Sequence, residues 1–74
     1  MEEEIEELLK ERYKNIDVAV YFIQFNLYEI EIIGLGPDQR FNYEYDNYFT
    51  KNENINSISE KIDKMILSHF RKSI

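Results

Sequence analysis

This sequence predicts an α+β fold in the order α-β-β-β-α, a three-stranded antiparallel meander with both helices packed on one face. Three observations lead there. Arg40-Phe41-Asn42-Tyr43-Glu44-Tyr45-Asp46 alternates strictly between polar and aromatic residues, the period of a strand buried on one side. Ile5, Leu8, Leu9 and Tyr13 near the start, and Ile58, Ile62, Met65, Ile66 and Phe70 near the end, recur at helical spacing. Between two strand-like runs lies Gly34-Leu35-Gly36-Pro37-Asp38, a strong loop signal. Helices gathered on the aromatic face of such a sheet leave its other face open to solvent.

Taken in order, residues 2–14 read as a helix. Glu2, Glu3 and Glu4 sit at its N-terminal end and Lys10, Arg12 and Lys14 at its C-terminal end, which complements the helix dipole. Asn15 suits its stop. Residues 16–24, rich in Val, Ile, Tyr and Phe, read as strand one. Phe25-Asn26 is a two-residue turn into strand two, residues 27–33. Strand three follows from about Gln39 to Tyr48. Residues 50–56 are polar and Asn-rich and read as a loop. Ser57-Ile58-Ser59-Glu60 fits a capping box for the last helix, with Asn54 as an alternative cap.

A regular two-residue turn sets Tyr21 opposite Ile30 and Ala19 opposite Ile32. Pairing Ile33 with Arg40 then joins Ile32 to Phe41, Ile30 to Tyr43 and Tyr28 to Tyr45. On the open face, Glu29 falls opposite Glu44 and Glu31 opposite Asn42, with Asp46 near the sheet end. Strand one is apolar on both sides, and this register turns Val18, Val20 and Phe22 outward beside the acids. An apolar strip rimmed by carboxylates on an edge strand marks an interaction surface. The competing reading is a solvated sheet face, with the strip covered by a helix end or the Asn-rich loop.

The 74 residues make one small acidic domain, 1–74, with a formal net charge of −6. A chain this short buries only about 60% of its unfolded surface, and about 4–11 kcal/mol of stability is expected. Oligomerisation is an ordinary remedy for so small a core. Residues 1–50 carry twelve acids and four bases, and residues 51–74 three acids and five bases. That balance disfavours phosphate backbones and anionic membranes as partners. There is no cysteine and a single histidine, His69, so thiolate sites and Ser–His or zinc mechanisms have no support. The first seven residues include five Glu, unlike a signal peptide, and no apolar run reaches a membrane span. A cytoplasmic protein is expected.

Three carboxylates on a flat sheet face supply few converging carbonyls for a hard cation, and no cleft is evident to tune a catalytic pair. The Gly34–Pro37 loop opens onto a strand and lacks a Lys-Ser ending, so it is a turn and not a phosphate cradle. Tyr43 and Tyr45 read as core rather than as a base-stacking platform. The α-β-β-β-α order is similar to that of double-stranded RNA-binding domains. Those domains place a Lys cluster at the start of the second helix, where this chain has Ser57-Ile58-Ser59-Glu60.

The expected function is therefore that of a non-enzymatic protein–protein interaction module without cofactor or metal. Its partner would be basic, of the nucleic-acid-handling kind that a phage or mobile-element inhibitor targets. The expected contact residues are Val18, Val20, Phe22, Glu29, Glu31, Glu44 and Asp46. The alternative is a small structural homodimer joined through strand one. Direct nucleic-acid binding through Lys61, Lys64, Arg71 and Lys72 is the weakest reading.

Overall fold

A computed structural model describes residues 2–34 and 37–72. Leu35 and Gly36 of the predicted loop, and the side chains of Phe70, Arg71 and Lys72, lie outside the described residues. The elements are α1 (Glu2–Arg12), β1 (Asp17–Gln24), β2 (Leu27–Ile33), β3 (Gln39–Glu44) and α2 (Lys51–Lys72). The strands form an antiparallel sheet in the order β1-β2-β3. Ile5 and Leu9 of α1 and Ile55, Ile58 and Ile62 of α2 join one core with Val18, Val20, Tyr28, Ile30, Ile32, Tyr43 and Tyr45. The α+β meander with both helices on one sheet face is thus what the chain adopts.

The face of β1 differs from the expectation, and a β-bulge is the cause. Gln24 does pair with Leu27 across the Phe25-Asn26 turn, with Asn26 at φ 65°, a conformation Asn tolerates. Then Phe22 pairs with Tyr28, so Ile23 is an extra residue in β1. One extra residue exchanges the two sides of everything beyond it. Val20 therefore lies opposite Ile30 and Val18 opposite Ile32. Both point at the helices and are 4% and 1% exposed. The bulge leaves Tyr21 on the open side, where its hydroxyl keeps its water.

The β2–β3 register also shifts, by two residues, which preserves the faces. Tyr28 pairs with Tyr43, Ile30 with Phe41, Ile32 with Gln39, Glu29 with Asn42 and Glu31 with Arg40. The expected Glu29–Glu44 apposition does not form, because Glu44 lies opposite Leu27. A base opposite Glu31 replaces a like-charge pair that would have been destabilising.

The predicted loop at 50–56 is helix. Its signal is a capping box nearly two turns earlier than expected. The Glu53 N–H donates to Thr50 Oγ1 (3.2 Å) and the Thr50 N–H donates to Glu53 Oε2 (3.0 Å). Asn54 is then fully buried. Its amide donates to the Asp46 and Thr50 carbonyls at 2.8 and 3.1 Å. Its oxygen accepts from the Tyr43 hydroxyl at 2.9 Å and the Asp46 N–H at 3.0 Å. One side chain thus holds the whole β3–α2 connection.

Polar contacts fasten the helices to each other. Arg12 donates to Ser59 Oγ (2.6 Å) and Asn56 Oδ1 (3.1 Å), Tyr13 donates to Asp63 and the Ser59 carbonyl, and Lys51 pairs with Glu4. Burial raises the Tyr13 phenol above its ordinary pKa, with Asp63 adding to the rise while Ser59 and Arg12 oppose it. Burial likewise raises Tyr45, beside Tyr43 and Tyr28. An acid whose folded pKa lies above its unfolded value contributes stability below the unfolded pKa and loses it as pH rises through the folded one. Stability should therefore fall above about pH 10. Urea midpoints at neutral and strongly alkaline pH check this, and Tyr45→Phe should make the fall shallower.

Candidate functional site

The seven residues expected at the contact surface do not form one patch. Val18 and Val20 are interior, under α1 and beside Ile30 and Ile32. Because whole residues are buried, their backbone is covered too, and β1 offers no open edge there. Phe22 shares their face but is 54% exposed, with its ring edge-on to Tyr28 at 5.9 Å. Glu31 is on the open face yet 5% exposed, closed over by Arg40, whose Nε lies 2.5 Å from Oε2. That contact is an ion pair and not a well-aligned hydrogen bond, and no other described donor reaches the oxygen. Arg40 also reaches Glu29 at 3.7 Å. The acidic face is therefore partly neutralised from within.

Asp46 is tied down by its own turn. Its carboxylate accepts from the Tyr48 N–H at 2.8 Å, and its backbone is held by Asn54. Glu44 is exposed, with no described ion pair. With Asn26, Tyr45, Asp46, Asn47 and Tyr48 it lines an open hollow of about 420 Å³.

What the sequence reading missed is a cluster of exposed apolar side chains at the β1–β2 hairpin tip. Tyr21 is 48%, Ile23 45% and Phe25 80% exposed, and Phe22, on the opposite side of the strand from Tyr21, is 54% exposed. Among the described residues α1 reaches Phe22, whose N–H donates to Glu2 Oε2 at 3.1 Å. The turn is held against the β3–α2 connection by Tyr45 N–H to Asn26 O (2.5 Å) and Asn47 Nδ2 to Asn26 Oδ1 (3.0 Å). That brings exposed Tyr48 and Phe49 to the same end. Glu2, Glu29, Glu44 and Asp46 fringe this end. The only hint in the sequence was Phe25 in a turn, where a large apolar residue has no structural use.

Tyr43 and Tyr45 are core, 6% and 7% exposed. Lys61 covers the rings of Phe41 and Tyr43 at 5.7 and 5.4 Å, so no stacking platform faces solvent at these two tyrosines. His69 is half-buried on α2. Among the described residues, no group of three or more His, Cys, Asp or Glu is placed to hold a metal ion, and no helix is long and apolar enough to cross a membrane. No protein-family model, curated protein or solved structure matches this chain.

Proposed function

We propose that this chain is a non-enzymatic protein–protein interaction module that acts in the cytoplasm and docks a basic partner on its hairpin tip. The observation that carries the reading is the run Tyr21, Phe22, Ile23 and Phe25, exposed together at one end of a small domain whose other large apolar strand residues are mostly packed. An exposed apolar cluster with a charged rim is the usual form of a contact surface. Aromatic anchors provide most of the affinity at such surfaces. The surrounding Glu2, Glu29, Glu44 and Asp46 favour a basic partner and speed its approach. Inhibition of a nucleic-acid-handling protein fits this pattern, because such proteins carry basic surfaces for phosphate.

Affinity capture from a lysate of the source cell, with wild type and with Ile23→Ser/Phe25→Ser, tests the reading. A retained basic protein should be lost from the variant, and Phe25→Ala alone should weaken its binding by about 2 kcal/mol or more in calorimetric titration. Retention of the same proteins by both baits, unaffected by salt, would refute it.

A further inference from the structure

We propose that two copies of this chain pair through the free edge of β3, in antiparallel register centred on Asn42, to form one continuous sheet twice as wide. This surface shares only Glu44 with the acidic rim of the hairpin tip.

The two sheet edges differ. At β1, the backbone of Val18 and Val20 is buried and Phe22 N–H is capped by Glu2. At β3, the direction of the backbone groups follows from two bonds. Tyr45 N–H donates to Asn26 O, so Tyr45, Tyr43 and Phe41 direct their backbone groups at β2. Alternation then points those of Arg40, Asn42, Glu44 and Asp46 outward. Asp46 confirms the direction, since Asn54 of α2 takes both its N–H and its C=O. Arg40, Asn42 and Glu44 are exposed, and among the described residues their outward backbone groups make no hydrogen bond. An open edge of this kind is a template for another strand.

The side chains select the occupant. Pairing Asn42 with its own copy sets Arg40 opposite the other chain's Glu44, and Glu44 opposite its Arg40. On the helix side the same register places Phe41 against Tyr43. Opposite charges and paired aromatics both favour cross-strand pairing. About six backbone hydrogen bonds would form. Glu44 gains the ion partner it lacks, and Arg40, with five donors, keeps its contacts to Glu31 and Glu29. Neighbouring symmetric registers are worse. One sets Asp38 opposite Glu44; the other requires Asp46, already taken by Asn54. A two-fold arrangement of one self-complementary patch is the common way for small chains to dimerise.

Sedimentation equilibrium of the full chain decides the matter. Wild type at about 100 μM should show about twice the 9.0 kDa chain mass. Asn42→Pro removes an N–H that points away from the sheet, which an edge strand tolerates. Glu44→Arg reverses a charge that has no described ion pair within the chain. Each should raise the dimer Kd by at least about tenfold, with circular dichroism unchanged, while Ile23→Ser/Phe25→Ser should leave it alone. A monomeric wild type, a dimer indifferent to either β3 substitution, or one abolished by the hairpin pair would overturn the assignment.

Discussion

Asn54→Ala is expected to cost about 3–5 kcal/mol, enough to populate the unfolded state measurably in a domain of this size. The substitution strands the Tyr43 hydroxyl and the Asp46 N–H and C=O at a site where Asn54 itself is fully buried. Each unsatisfied buried group costs about 1–3 kcal/mol. Asn54→Asp should do no better, because a carboxylate has nothing to donate to the Asp46 and Thr50 carbonyls. Asn56→Ala is the control. That exposed neighbour accepts a single bond from Arg12, so its loss should cost less than about 1 kcal/mol. Urea titration reads both, and equal midpoints for the two alanine variants would show that the amide clamp contributes nothing special.

The second large effect is expected at Arg40. Removing it leaves the Glu31 carboxylate, with its side chain 7% exposed, without a counter-charge. Breaking a fully buried pair this way costs about 3–5 kcal/mol. Arg40 is itself 61% exposed, so about 2 kcal/mol is expected here. The double variant Glu31→Val/Arg40→Ala should recover most of the loss, since an apolar pair replaces a buried ion at little net cost. The comparison belongs at low protein concentration, so that folding of the single chain is what the midpoint reports. A double variant less stable than Arg40→Ala would show that the charge on Glu31 was never the difficulty.

The parts of the molecule that could be read from the sequence were those where one pattern dominates. Strand two was found at 27–33, its observed limits, because Tyr28, Ile30 and Ile32 alternate with Glu29 and Glu31. The Tyr43 and Tyr45 core positions followed from the same period. Strand one resisted because both its faces are apolar. Val18 and Val20 compete with Ala19, Tyr21 and Ile23 for the interior, and nothing in its composition announces the extra residue at Ile23. The α2 start was misplaced because four Asn between 47 and 56 outweighed the Thr50–Glu53 capping signal. The clamp at Asn54 depends on groups brought together only by the fold.

Contact residues were harder still. Three of the seven, Val18, Val20 and Glu31, are buried. The first two follow from the register of β1. Glu31 follows from a guanidinium that a two-residue shift in β3 set across from it. The exposure of the hairpin tip is not legible in the sequence, because a strand apolar on both faces does not say which of its residues a helix covers.

The additional residue at position 23 has a consequence for how this chain can change. A strand oily on both sides can be laid down either way up, and the kink decides which. Were the kink smoothed out with Ile23 kept in the ladder, the ribbon would turn over, sending Tyr21 toward the helices and Val20 to the water without altering any amino acid. A wholly different exterior is thus one step of pairing away, and a single out-of-register residue is what selects the present one.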